Sequence, residues 1–286
     1  LVTTLVLVLA APQQVVRAQA SLVAIDTPYT QDFNTLATSG TGHDWTDDTT
    51  IQGWYATRST YNAGTGSSNT GALYSFGSTD ATDRALGSVA SGGTGTIYYG
   101  VRLQNNTGVA ITSLDIAYTG EQWRNGGNTS QHTLAFAYQV GDAVTSLTAG
   151  IWENVSTLDF TGPITGTTGG ALDGNDPANQ VAISDTLEVL ILPGEEIMLR
   201  WMDINYPGSD HGLAIDDLSI TPRTSPALII NKEVFPTTNV ENGSTVTYTV
   251  LLQNQGGLND STVLFTDTLP AEVTFGAWIE KPAGAV

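Results

Sequence analysis

From residue 21 to about residue 222 the chain alternates short apolar runs with polar, turn-forming clusters. Nowhere does it sustain a 3.6-residue period. The runs are rich in Val, Ile, Thr, Tyr and Trp, which fit a pleated, half-buried surface. They predict strands at 96–105, 113–119, 133–140, 180–187, 195–203 and 212–221, with shorter ones at 29–33, 53–56 and 72–76. Clusters such as RNGGNT (124–129) and GGALDGNDP (169–177) supply the turns between them. Many short strands at this spacing predict an all-β fold of two packed antiparallel sheets, a jelly-roll-like β-sandwich. The two prolines of TPRTSP (221–226) predict a linker at 223–226 that separates this domain, 21–222, from a smaller β domain at 227–286. In the second domain strands are expected at 228–234, 245–253, 263–266 and 273–279, with Val246, Tyr248 and Val250 on one face.

The first eleven residues, LVTTLVLVLAA, read differently. They form an apolar run too short to span a bilayer, followed by Ala18-Gln19-Ala20, a small-x-small pattern. Residues 1–20 are therefore expected to be a signal peptide whose basic leader is missing, cleaved after Ala20, which places the mature chain outside the cell. No other stretch predicts a transmembrane span. The chain contains no cysteine, so thiolate catalysis, cysteine zinc sites and disulfides are excluded, and core burial must stabilise the fold. Charged residues are only 13% of the chain, but nine Lys and Arg face 28 Asp and Glu, a formal charge of −19. Such a surface repels phosphate backbones and anionic lipid, so no nucleic-acid partner is expected for this segment.

Candidate chemistry is sparse. The three histidines, His43, His132 and His211, form no HExxH, and there is no GxSxG. The Gly-rich stretch 63–71 lacks the Lys of a phosphate-binding loop. No catalytic residue is expected. A glycosidase would need two carboxylates flanking one bond. Glu121 and Asp216 are candidates only if the fold brings them together. The aromatic residues are better binding candidates, because exposed rings stack on the apolar faces of sugars. Trp54, Trp123 and Trp152, with Trp45, lie in or beside predicted loops, and Trp123 has the most turn-like flanks. In strand 212–221, if Leu218 and Ile220 face the core, then Ala214 and Asp216 share their side. A buried carboxylate needs a partner. Either an Arg (Arg84, Arg124 or Arg200) or backbone amides supply it, or Asp203, Asn205, Asp210 and Asp216 gather at one sheet end around calcium.

Several phrases together carry a resemblance: DFNTL (32–36), GALYSFGSTDATDRALGS (71–88), YYGVRLQNNTG (98–108), YTGEQWRNGG (118–127) and DHGLAIDDLSIT (210–221). They resemble an N-terminal domain of large secreted bacterial proteins, where it precedes repeat modules, lamin-tail-like modules or an extracellular endonuclease/exonuclease/phosphatase domain. The resemblance covers nearly all of 29–221 and implies a jelly roll with no activity of its own. The Ala-Ile-Asp-Asp run also resembles the last strand of adhesive sandwich domains of the MAM type. Residues 226–286 resemble the opening of the repeat family catalogued as domain of unknown function 11, through Lys232, Gly243, Tyr248, Asn254, Gly256 and Thr266–Pro270. That resemblance implies a truncated immunoglobulin-like surface repeat, usually found in tandem stalks. Lys232 is expected to be paired or snorkelling, since the late strand that would supply a cross-linking Asn is not in this stretch.

The functional expectation is a non-catalytic secreted or cell-surface bacterial protein, a recognition or adhesion module on a repeat stalk, with extracellular carbohydrate as partner and calcium as the candidate cofactor. The alternative is an accessory domain of a larger extracellular nuclease or phosphatase.

Overall fold

The computed structural model describes residues 20–226, 228–238, 240–254, 256–258 and 263–280. The apolar run at 1–11 and most of the expected signal peptide lie outside the described residues. Among the described residues eighteen strands follow in chain order. The first seven are short: β1 (Ala20–Leu22), β2 (Tyr29–Gln31), β3 (His43–Asp44), β4 (Trp54–Ala56), β5 (Thr60–Gly64), β6 (Ala72–Phe76) and β7 (Ala85–Val89). Longer ones come next: β8 (Ile97–Asn105), β9 (Ile111–Asn125) and β10 (Thr133–Gly141). Three two-residue strands, β11 (Glu153–Asn154), β12 (Phe160–Thr161) and β13 (Gly170–Ala171), precede β14 (Gln180–Ile191), β15 (Glu196–Asp203) and β16 (Gly212–Arg223). The last two are β17 (Leu228–Phe235) and β18 (Thr247–Asn254). Among the described residues there is no α-helix, only two single 3-10 turns.

The strands β1 to β16 form two sheets, so the all-β sandwich expected from the periodicity is what the chain adopts. One sheet has the order β1-β8-β15-β10-β11, with β4 also on β8 and β12 also on β10. The larger sheet runs β13-β9-β16-β7-β6-β5-β3, with β14 on β9 and β2 on β16. Both sheets are mixed: β1 lies parallel to β8 and β5 parallel to β6, while the other pairs are antiparallel. Alternation explains the core. In β15 Ile197, Leu199 and Trp201 point between the sheets, and in β9 Leu114, Ile116 and Tyr118 meet them from the other side. Gly120 continues that inner row where a side chain cannot fit, because a Cβ there would lie 2.3 Å from the Phe160 ring. Trp201 is the centre of the packing. Its ring lies 6.0 Å from Trp54, 5.5 Å from Tyr118 and 5.3 Å from Phe136.

The last strand of the sandwich, β16, reaches Arg223, whose guanidinium bonds Asp26 (2.5 Å) and Asp115 (2.7 Å). The described part of the connection to β17 is residues 224–226. Thr224 bonds the carbonyl of Ala110 at 2.8 Å and accepts the Gly257 N–H. β17 and β18 pair only with each other, and every residue of β17 is exposed. The strands expected at 263–266 and 273–279 are not formed; the described part of 263–280 is irregular. Among the described residues no second layer covers this two-stranded ribbon, and Leu264, Phe275 and Ile279 remain 87, 61 and 83% exposed. Lys232 Nζ is paired, 2.8 and 2.7 Å from the two Asp267 carboxylate oxygens and 4.4 Å from the Tyr248 ring centre.

Limited trypsin digestion is expected to cut first after Arg223 or Lys232 and to leave a resistant fragment ending near residue 223. The ribbon buries too little to oppose local opening, whereas β16 is held on both sides. Equal resistance of both parts would show that the ribbon is docked firmly on the sandwich.

Candidate functional site

The aromatic candidates sit deeper than their loop-like flanks predict. Trp54 is fully buried, stacked on Trp201, with its indole N–H donating to the Tyr29 hydroxyl at 2.9 Å. Trp123 belongs to β9, which runs on to Asn125 before the RNGGNT turn. It lies on the outer face of the larger sheet in a second apolar cluster with Tyr74, Phe76, Ala85, Val89 and Ala214. Its ring stacks on Phe76 at 6.0 Å, and Phe76 stacks on Tyr74 at 4.8 Å. These ring faces are used by other rings, so none is free for a sugar. Trp45 is buried, with its N–H on Asp47. Trp152 alone of the four is half-exposed. Its N–H donates to Ala149 O, and the Arg200 guanidinium lies 3.8 Å from its ring centre, with Tyr98 5.0 Å from the same cation.

The four oxygen residues expected around one cation are divided. Asp203 points between the sheets, is 1% exposed, and accepts the Ser88 hydroxyl at 2.6 Å. Burial pushes its carboxyl up to about 7 against the pull of that bond. Asp210 is near it and accepts the Tyr206 N–H at 2.8 Å, with His132 Nδ1 3.7 Å away. Asn205 is exposed. Asp216 lies elsewhere, on the outer face of the larger sheet beside Trp123 and Ala214. Among the described residues no three His, Asp or Glu gather into a group able to hold a metal.

The position of Asp216 departs from simple alternation because β16 carries a bulge. Its register against β9 shifts between Asp216 and Ser219, and Asp217 has φ of 49°. Leu213 and Ile215 face the core before the bulge, and Leu218 and Ile220 face it after. The extra residue therefore puts Ala214 and Asp216 on the opposite side from Leu218 and Ile220. On that side Asp216 meets Glu121. Both are buried, at 4 and 2% exposed. Glu121 accepts the Trp123 indole N–H at 2.8 Å and the Gln180 amide at 3.2 Å, and Asp216 accepts the Asp217 backbone N–H at 2.7 Å. Burial first, then neighbouring carboxylates, pushes Glu121 up to about 7 and Asp216 up to about 9. The expected arginine partners do not reach them. Arg84 is turned to Ser75, Arg124 to the carbonyls of Gly66 and Ser67, and Arg200 to Leu147 O. The pair is covered in this conformation, and its burial favours the protonated form of both carboxyls.

The open cleft lies at the seam where the edges of the two sheets meet. Tyr138, Gln139 and Val140 of β10, Ile151 and Glu153 beside and in β11, and Glu188, Val189 and Leu190 of β14 line it. The Tyr138 hydroxyl donates to Glu153 at 2.9 Å. Burial and then this carboxylate push the phenol up. Ile151 is 86% exposed and Leu190 42%, so this shallow, mainly polar recess has two aliphatic side chains and two carboxylates at its margin. Tyr138, Glu153 and Glu188 carry no mark in the sequence, because nothing in the residues of β11 or β14 shows that these strands end their sheets. A second recess is lined by Trp45, Asp47, Ala56, Thr57, Arg58 and Ser59.

No family model and no curated protein matches the chain. Among solved structures, the arabinose-bound α-L-arabinofuranosidase MgGH51 aligns with 74% of this chain and 31% of its own, at 10% identity and TM-score 0.34. The K2 cleaved adhesin domain of Lys-gingipain aligns over 64% of this chain and 97% of its own, at 14% identity and TM-score 0.31. The chain thus spans about a third of the length of the first of these. Among the described residues no helix is long and apolar enough to cross a membrane.

Proposed function

We propose that this chain is a non-catalytic extracellular recognition module that binds a hydroxyl-rich polymer, a carbohydrate, in the seam cleft. One observation carries the reading: Glu153, Glu188 and Tyr138 line one recess together with the exposed Ile151 and Leu190. Carboxylates accept hydrogen bonds from sugar hydroxyls, and aliphatic walls suit the C–H faces of a pyranose or furanose ring. Two carboxylates in a protein of charge −19 select against sulfated or uronic polymers and for neutral ones. The Ala18-Gln19-Ala20 pattern after an apolar run supports export. The half-exposed Trp152, next to Ile151 in the chain, lies where a longer ligand would extend.

The test is binding of the full chain to a panel of neutral and anionic polysaccharides. A neutral polymer is expected to bind, and Glu153→Ala with Glu188→Ala is expected to weaken it by about tenfold or more, the loss of roughly one to two kcal/mol typical of a central polar contact. Binding untouched by the double variant would remove the cleft from the site, and failure of every polymer would end the carbohydrate reading.

A further inference from the structure

Residues 172–180 cross the outer face of the larger sheet as a strap over the Glu121–Asp216 pair. The Leu172 N–H donates to Trp123 O at 2.8 Å. Gly174 lies against the indole itself, where a Cβ would come within 2.2 Å of the ring. Asn175 Nδ2 donates to Asp83 at 2.8 Å, and Ser78 reaches Asp173 at 3.5 Å. At the far end Gln180 donates to Glu121. Both ends of the strap are therefore tied to the residues they cover.

What faces the pair is neutral or acidic. β9 presents the Trp123 N–H, β14 the Gln180 amide, β16 Asp217, and the segment before β7 Asp83. The strap itself carries Asp173 and Asp176. The neighbouring arginines, Arg84 and Arg124, are committed to Ser75 and to the carbonyls of Gly66 and Ser67. With protons on the pair, the buried carboxyls need only the neutral donors they have. Without them, two anions lie in an apolar cluster beside Asp83 and Asp217 with no cation among the described residues to pair with, a state that favours letting water in beneath the strap.

We propose that residues 172–180 are a proton-gated strap: the protonated Glu121–Asp216 pair holds it shut, and loss of those protons releases it and uncovers Trp123. The direction follows from linkage. The shut state keeps its protons, whereas hydrated carboxyls in the open state give them up at ordinary acidity, so rising pH favours opening. The open form would present the Trp123 indole, with Glu121 and Asp216 ionised beside it, as a second surface that exists only on the alkaline side. This gate is independent of the carbohydrate reading of the seam cleft.

Hydrogen exchange on the full chain at pH 5, 7 and 9.5, corrected for the intrinsic pH dependence of exchange, tests it. Protection of the Leu172, Asp176, Ala178 and Asn179 amides is expected to fall with pH, by up to about tenfold per pH unit for each proton released. The β15 amides are expected to stay protected. Glu121→Gln and Asp216→Asn are each expected to reduce the slope, and the double variant to abolish it. Where the double variant fails to fold, the Asp216→Asn slope decides. Acrylamide quenching, read as the difference between the native chain and Trp123→Phe, is expected to show Trp123 becoming accessible at pH 9.5. Protection of the strap that does not change with pH, a slope unchanged by Asp216→Asn, or simultaneous loss of β15 protection would overturn the gate.

Discussion

Trp201→Ala is expected to cost the sandwich about 3–5 kcal/mol, the range for deleting a buried aromatic side chain. Trp201 is fully buried on β15 and touches rings contributed by β4, β8, β9 and β10: Trp54, Tyr99, Tyr118 and Phe136. The cavity left by its removal would be walled by four other aromatic rings on strands that are themselves hydrogen-bonded in ladders. Such walls collapse poorly, which places the cost toward the upper end. No cysteine is available to cross-link the fold, so this core is its main source of stability. Urea unfolding followed by circular dichroism gives the number. A loss below about 1.5 kcal/mol would mean that the two sheets close over the gap and that the aromatic centre is not what holds them together.

The thermal midpoint is expected to fall as pH rises from 6.5 to 9, by roughly 4–8 °C if two kcal/mol are lost. Glu121 and Asp203 are held up near 7 and Asp216 near 9, so the folded state binds protons that the unfolded chain releases near 4. Stability from these groups is complete below the unfolded value and is lost as pH climbs through the folded ones. His132, pushed down to about 4 by burial, and His211, also pushed down, act in the opposite sense. Their contribution is present above about 6.5 and is lost as pH falls, because the unfolded imidazoles then take up protons that the folded ones refuse. Below 6.5 the two effects oppose each other, two imidazoles against three carboxyls, so the fall is shallower there; above it the carboxyls titrate unopposed by the histidines. Asp216→Asn should flatten the alkaline limb. An alkaline limb of the same slope in that variant would assign the fall to other groups.

The sandwich was legible because a period of two survives in the text wherever one face is buried, as in Ile197, Leu199 and Trp201. Where both faces are covered, the signal fails. Residues 120–123 of β9 are buried on both sides, so Trp123 reads as a loop residue flanked by glycines although it is mid-sheet. The side on which Asp216 lies depended on one residue of register, which hydropathy does not encode. The seam cleft depended on which strands are edges, a property of the topology and not of any segment. In the second domain the alternation of residues 228–254 did predict a strand pair. The later runs have the composition of strands but no partner to hydrogen-bond, and composition alone does not make a sheet.

The bulge at Asp216 and Asp217 also divides β16 between two neighbours. Before it, Leu213–Ile215 pair with β7; after it, Leu218–Ile220 pair with β2. One strand thus hands its free edge from one partner to the next, and the extra residue resets the alternation at the point of transfer. Removing that residue would leave the chain before it in place and turn Leu218 and Ile220 outward, carrying Arg223 away from Asp26 and Asp115. The spacing between the two halves of β16 is therefore a reading frame for the fold: it tolerates exchange of the side chains within it far better than the loss of a single residue.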